Sequence, residues 1–576
     1  MADKPVRWRR RLLILLVLLG VGVLAVRSFL HRASVAQGSV VLLDLGGAYG
    51  EETSNDLLAR AFGRPAMSLL DLLLLIRDAG EDPRVAGLVV RVRPLAIGWA
   101  KAEEIRAALL TFRESGKPLR AYLELELSGG TLEYYVASAA EKVLVPPGAA
   151  APVTGLLAQF IFLGGVWDKL DVDMQVLKIR EYKTFGDMLA NKEMSPHHRE
   201  MTNSILDSVY GQLVDGVAAQ RGLARTAVIA AIDTAPATPA ELQAAGLIDG
   251  AQFLDELRGE LLGADGKFLA AEEYEHQRRP LPLTVEPHGR IAVVYGVGPV
   301  TTGESQSSPM DGESNMGADT LAEAFAEAAG DDSIDAIVFR VDSPGGSALA
   351  SDLIWRASQQ ARQAKPVIVS MSDVAASGGY YVAAGASRIL ALPGTMTGSI
   401  GVVLAKPNID GLLHNLGINA VEIERGEMAS MMSVTQSFGP AELERVTASM
   451  DAIYDLFLDR VAAGRGLDKA QVNEVGRGRV WTGAQAVEQG LVDELGGFFA
   501  AINAAKAAVE IPVADKVELV FYPRQRGLVE RLGELLGTRL LGEPPAWWST
   551  LRRATSAWRF PAGSVLTLMP GEISIR

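Results

Sequence analysis

The chain has 576 residues, 48% apolar and 22% charged, which is too long for one core and calls for two or more globular domains. A formal net charge of -14 argues against a nucleic-acid partner, because phosphate binding needs a basic field. With no cysteine, disulfides and thiolate metal sites are excluded, and six histidines with no HExxH pair argue against a zinc enzyme.

The N-terminus carries a targeting signal. The basic run KPVRWRRR precedes fifteen uncharged residues, Leu12 to Val26 (LLILLVLLGVGVLAV), and then Arg27. As a helix these span about 22 Å, short of the ~30 Å hydrocarbon core. Trp8 on one side, and Phe29 and Leu30 beyond a snorkelling Arg27, supply the missing length. The order basic-then-apolar predicts a membrane anchor at 1–36 with a cytoplasmic N-terminus and the bulk of the chain exported. A cleaved secretory signal is the alternative, since ASVAQ (Ala33 to Gln37) is a tolerable cleavage site.

From there the chain is written twice. YYVASAAEKVLVPPG (Tyr134 to Gly148) and YYVAAGASRILALPG (Tyr380 to Gly394) share eight of fifteen residues at an offset of 246. The match continues into LDVDMQVLKIREYK (from Leu170) over LGINAVEIERGEMA (from Leu416). YGQLVDGVAAQRGL (from Tyr210) over YDLFLDRVAAGRGL (from Tyr454) extends it at an offset of 244. Upstream, VAGLVVRVRP resembles IDAIVFRVDSP. Within a copy, RIAVVYGVG, IDAIVFRVD and KPVIVSM read as strands, whereas GADTLAEAFAEAAG and ASDLIWRASQQARQ have helical apolar spacing. The β-α-β-α order predicts parallel strands with crossover helices. The expected division is 1–36 anchor, 37–285 first repeat, 286–515 second repeat and 516–576 an amphipathic C-terminal tail. That tail packs on its own domain, on the membrane interface or on another subunit.

The duplication is an internal control on Ser377, in AASGGYY. At offset 246 it faces Thr131, while Gly378 and Gly379 face Leu132 and Glu133. A turn that merely required Ser-Gly-Gly would require it in both copies. A serine on a strand-to-helix turn, beside exposed N–H groups at the positive end of a helix, is placed as a nucleophile next to an oxyanion donor. RVDSPGGSALAS (Arg340 to Ser351) offers a second donor, and the first copy has RVRPLAIGWA there, without paired glycines. The base is open to two readings. His414 sits in a helical context, and His197 and His198 follow EMSP in the first copy. A lysine made neutral by burial is the other choice. Lys183 (KIREYKTFGDM) faces Ala429, so the first copy keeps a lysine without the serine and the second a serine without the lysine. Such reciprocal loss is expected of one site assembled across both copies.

Together, SPGGS (Ser343 to Ser347), AASGGYY (Ala375 to Tyr381), MTGSIG (Met396 to Gly401), YK…MSP (Tyr182 to Pro196) and VWTGAQA (Val480 to Ala486) resemble the signal peptide peptidase A family in its long, duplicated, membrane-anchored bacterial form. The resemblance implies an α/β fold of tandem ClpP/crotonase-like domains and a serine endopeptidase with a Ser-Lys dyad. By position, Ser377 resembles the nucleophile, Lys183 the general base and Ser399 the hydroxyl that orients the lysine. The Gly378 N–H and one from Gly345 or Gly346 resemble the oxyanion hole. The family further implies signal peptides and unfolded peptides as substrates, a homotetramer, no cofactor, no metal, and a single-pass protein of the bacterial inner membrane with its bulk in the periplasm. Rival readings are an α/β-hydrolase-type esterase, from the approximate G-x-S-x-G elbow at Ala375 to Gly379, a crotonase-type acyl-CoA enzyme, and a membrane scaffold with a relic fold.

Overall fold

The computed structural model describes residues 35–51, 67–127, 129–262, 266–278, 287–306, 314–523 and 566–568. The expected anchor at 1–36 and most of the expected tail lie outside these residues; among the described ones no helix is long and apolar enough to cross a membrane.

The first repeat contributes β1 (Ser39–Gly47), α1 (Leu69–Glu81), β2 (Val85–Leu95), α2 (Trp99–Glu114), β3 (Leu119–Leu123), α3 (Thr131–Ala137), β4 (Lys142–Val145), β5 (Asp173–Ile179), α4 (Pro196–Arg221), β6 (Gly250–Ala251) and β7 (Phe268–Ala270). All of its strands but β5 form one parallel sheet, ordered β6-β4-β3-β2-β1-β7. The second repeat begins with β8 (Arg290–Val297), β9 (Val300–Thr301), β10 (Met316–Gly317), α5 (Ala318–Gly330), β11 (Ala336–Ser343), β12 (Gly345–Ser347) and α6 (Ala348–Ala364). It continues with β13 (Val367–Ala376), α7 (Gly378–Ala383), β14 (Arg388–Ala391), β15 (Met396–Gly398), β16 (Val402–Asn408) and α8 (Pro440–Arg465). β17 (Val480–Thr482), β18 (Glu494–Leu495), α9 (Phe498–Ala508) and β19 (Glu518–Tyr522) complete it, and β20 (Leu566–Leu568) follows. Its central strands β14, β13, β11, β8 and β19 pair in parallel as β4, β3, β2, β1 and β7 do. β19, beyond residue 515, thus closes the second sheet as β7 closes the first.

The strands are near-continuous apolar runs because both faces are covered, as crossover helices require. Ala292, Val294, Ile337 and Phe339 face a core shared with α5 and α6, while Ile291, Val293 and Val338 face α9 and Leu70 of α1. Alternate residues of one strand therefore belong to different cores, and the second core includes a leucine of the first repeat. α4 and α8 both run 26 residues, begin with proline at the first turn and end on a left-handed glycine, Gly222 and Gly466.

β5 breaks the separation of the copies. It crosses to the second repeat and pairs antiparallel with β16 over seven residues, from Val402 opposite Ile179 to Asn408 opposite Asp173. This pairing carries the chain after β5, and Lys183 with it, to the second sheet.

Candidate active site

Ser377 is the residue between β13 and α7. Its φ of 56° and ψ of -114° lie outside the ordinary regions for a side-chain-bearing residue, the kind of backbone strain that concentrates at functional sites. Three contacts maintain the turn. The Ser377 N–H donates to Gly398 O at 2.8 Å, and Tyr380 and Tyr381 anchor α7 by donating to Leu491 O and Asp352 Oδ1, both at 2.8 Å. Gly379 admits no side chain, since a Cβ there falls 2.5 Å from Ser343 O. The first copy keeps the same tyrosine anchor, Tyr134 donating to Leu247 O at 2.6 Å, but presents Thr131 in place of the serine.

Lys183 arrives from the turn after β5. Tyr182 N–H donates to Arg477 O at 3.0 Å, and the Lys178 ammonium and the Ser195 hydroxyl both hold Asp187, at 2.6 and 2.7 Å. The loop around the lysine is thereby clamped on both sides. Its side chain runs beneath Gly401 and Gly478 and is fully buried. Lys183 Nζ lies 2.6 Å from Ser377 Oγ, 2.9 Å from Ser399 O and 3.0 Å from Ser399 Oγ. Burial, with no carboxylate to offset it, pushes the amine well below the ordinary lysine range. A neutral amine has two N–H bonds and one lone pair. In that form the two N–H bonds would satisfy the Ser399 oxygens and leave the lone pair for the hydroxyl of Ser377 to donate into. Ser399 is itself fixed, with φ 52° and its N–H donating to Arg479 O at 2.6 Å.

Ser377, Lys183 and Ser399 are therefore brought together, 194 and 216 residues separating the lysine from the two serines. Gly378 opens α7 immediately beside the hydroxyl. Gly345 and Gly346 lie on β12; the Gly345 N–H donates to Ser343 Oγ at 3.3 Å, and a Cβ on Gly346 would fall 2.6 Å from Val300 N. β20 runs antiparallel to β12, with Leu568 opposite Gly345 and Leu566 opposite Ser347, and also meets β16 at Val403.

The histidines do not join this group. His414 is exposed on a short helix, and His197 packs edge-on against Tyr182. His198 is buried against Phe160 with both ring nitrogens unpaired, and burial pushes its pKa down to about 4. The elbow-type esterase therefore lacks a histidine bonded to Ser377 among the described residues. Sequence reasoning missed Gly478 and Gly401, which make room for the lysine. Their only signal was the glycine-rich surroundings, GRGRV and TGSIG.

Comparison with known proteins shows the family. The profile described as Peptidase family S49 matches residues 111–263 and again 359–512. The chain is 36% identical to the Arabidopsis thaliana protein named "Serine protease SPPA, chloroplastic", over 88% of this chain and 75% of that one. It is 30% identical to "Protease 4" of Salmonella typhi, covering 86% of this chain and 82% of the relative. "Protease 4" of Haemophilus influenzae is 30% identical, with 77% and 73% covered. Duplicated in sequence, in fold and in its matches, the chain belongs to Peptidase family S49 and is a serine-type peptidase.

Proposed function

We propose that the protein is a membrane-anchored endopeptidase that cleaves extended apolar peptides, cleaved signal peptides among them, by a Ser377–Lys183 dyad. The observation that carries this reading is the 2.6 Å approach of a fully buried lysine amine to the hydroxyl of a strained serine. Neutral Lys183 takes the Ser377 proton as Oγ attacks the peptide carbonyl. The oxyanion is held by the Gly378 N–H and one N–H of Gly345–Gly346. The ammonium then protonates the leaving amine, and water activated by the same lysine hydrolyses the acyl-enzyme. Ser399 accepts both N–H bonds of the amine and so keeps its lone pair aimed at the serine. An extended peptide suits this site because the β12 edge accepts an antiparallel strand, as the pairing with β20 illustrates.

The anchor rests on the basic and apolar runs between Lys4 and Val26, with the catalytic bulk on the far side of the bacterial inner membrane. Assembly into a closed homo-oligomer, a tetramer by family resemblance, is supported by the repeat. The equivalents of β16 and β5 in the opposite copies, residues 156–162 and 419–425, form no strand and expose Leu157, Ile161, Val421 and Ile423. Pairing them between chains repeats the β5–β16 contact head to tail.

Purified wild type, Ser377→Ala and Lys183→Ala chains, assayed on a quenched apolar peptide, test the dyad. Both variants should lose at least 100-fold in kcat/KM while keeping the wild-type circular dichroism. Activity retained in Lys183→Ala would refute the lysine as base. Light scattering tests the oligomer, and membrane fractionation with protease protection tests the anchor.

A further inference from the structure

The first repeat contributes a second buried lysine, with the opposite electrostatic character. Lys101, at the start of α2, is buried at 8% exposure between the repeats. Its ammonium lies 2.8 Å from Asp342 Oδ2, 3.4 Å from Glu51 Oε1 and 3.7 Å from Asp373 Oδ2. Burial opposes the charge, but Asp342, Glu51 and Asp373 outweigh it and raise the lysine's pKa. Lys183 is buried without a carboxylate, which disfavours its charged form; Lys101 is buried among three, which favour it.

Two of the carboxylates that Lys101 gathers, Asp342 and Asp373, mark an irregularity in the catalytic sheet. β11 and β13 stay in register from Ile337 opposite Val367 to Val341 opposite Met371, and resume with Ser343 opposite Ala375. Asp342 alone thus faces Ser372, Asp373 and Val374, a bulge that adds residues to the strand leading to Ser377. Asp342 Oδ1 accepts the Val374 N–H at 3.1 Å, spanning the bulge from one side. Asp373 accepts the N–H groups of Gly98 and Lys101, both at 2.9 Å, so that it caps α2 of the other repeat. A side chain on Gly98 would meet the Asp373 carboxylate, so this approach is built for close contact. Behind it Arg340 is ringed by Glu51, Glu104, Ser370 and Ser372, at 2.7 to 3.3 Å. On the other side, burial raises the pKa of Glu103 to about 8, and its carboxyl accepts the Gly394 N–H at 2.8 Å.

We propose that Lys101 is a positioning residue for the peptidase reaction: by pinning Asp342 and Asp373 it fixes the bulge that sets Ser377 relative to the Gly345–Gly346 segment. Asp342 stands three residues before Gly345 and Asp373 four before Ser377. The lysine thus ties both halves of the site to one point on the first repeat. In the first copy Arg93 stands where the second has Asp342, and the β2–β3 ladder ends at Val92 opposite Leu123, the pair equivalent to Val341 opposite Met371, without resuming beyond it. This inference rests on Ser377 being the nucleophile.

Lys101→Met, which keeps the length and removes the charge, tests it in the full-length protein, alongside Lys101→Met/Asp342→Asn and Ser377→Ala. The asparagine still accepts the Val374 N–H while removing one of the carboxylates left unpaired. Lys101→Met should lower kcat about 10- to 100-fold with KM within about twofold, because a misplacement near 1 Å has that effect on a reacting pair. The double variant should regain part of the loss but stay clearly below wild-type kcat, since Asp373 is still unpinned. The ratio of variant to wild-type kcat should also rise as pH falls from 8 toward 5, as the carboxyl of Asp373, which burial already raises to about 6 beside the ammonium, protonates once that ammonium is gone, while Glu51 stays paired with Arg340. A Lys101→Met protein that melts lower but keeps wild-type kcat would overturn the proposal and leave a purely structural ion cluster. If Lys101→Met does not fold, the double variant decides: folded with wild-type kcat it overturns the proposal, and folded with reduced kcat and the same pH trend it upholds it. Full activity in Ser377→Ala would instead refute the nucleophile on which the inference rests.

Discussion

Alanine at Gly478 is expected to disable the site without replacing any reacting group. Gly478 has φ +82°, and a Cβ there would lie 2.7 Å from both Cα and Cβ of Lys183 and closer still to its amide nitrogen. Ordinary carbon contacts begin near 3.5 Å, so the lysine backbone must retreat by most of an ångström. It has little freedom to do so, because Tyr182 is bonded to Arg477 next to the substitution. The left-handed backbone adds about 1–2 kcal/mol of strain and overpacking about 1–3 kcal/mol more. A shift of that size in a pair that meets at 2.6 Å should lower kcat about 10- to 100-fold. Gly466→Ala is the matched control: its φ is +64°, but nothing lies within 4 Å of the added methyl. It should cost about 1–2 kcal/mol of stability, the left-handed strain alone, and leave kcat unchanged. The assay is steady-state cleavage of a quenched peptide, with the rate of Ser377 labelling by a fluorophosphonate and thermal melting measured on the same samples. Wild-type kcat and labelling in Gly478→Ala would refute the claim that this glycine sets the position of the lysine.

Lys183→Met should abolish cleavage and raise the melting temperature at neutral pH. The folded-state pKa of Lys183 is depressed, so between that value and the unfolded value near 10.4 the unfolded chain binds a proton that the folded chain does not. Wild-type stability therefore climbs with pH across this window, the variant lacks the slope, and the gap should close as pH approaches 10. An equal gap at all pH values would contradict a neutral buried lysine. Ser399→Ala removes the acceptor at 3.0 Å but leaves the carbonyl at 2.9 Å, so kcat should fall about tenfold, visible in the same peptide assay. Removing residues 566–576 frees the β12 edge now paired with β20, and KM for a peptide substrate should fall severalfold; an unchanged KM would mean that the two do not compete.

The amino-acid sequence by itself determined the duplication, the strand and helix order of each copy, and the reciprocal retention of Ser377 and Lys183. These are local patterns, and comparing one copy with the other turned them into a statement about chemistry. Helical spacing in GADTLAEAFAEAAG and the apolar run IDAIVFRVD correspond to α5 and β11, because a buried parallel strand and an amphipathic helix each write their period into adjacent residues. Tertiary structure alone decided how the lysine reaches the serine, since the pairing of β5 with β16 joins residues more than 200 positions apart and leaves no mark in either segment. It also decided which glycines matter: Gly478 differs from Gly466 only in what lies beside it. The two lysines show the same division most plainly. In sequence Lys101 and Lys183 are both lysines in mixed, polar surroundings, yet folding buries one among three carboxylates and the other among none. The charge on a buried amine is a property of its neighbours, and its neighbours are chosen by the fold.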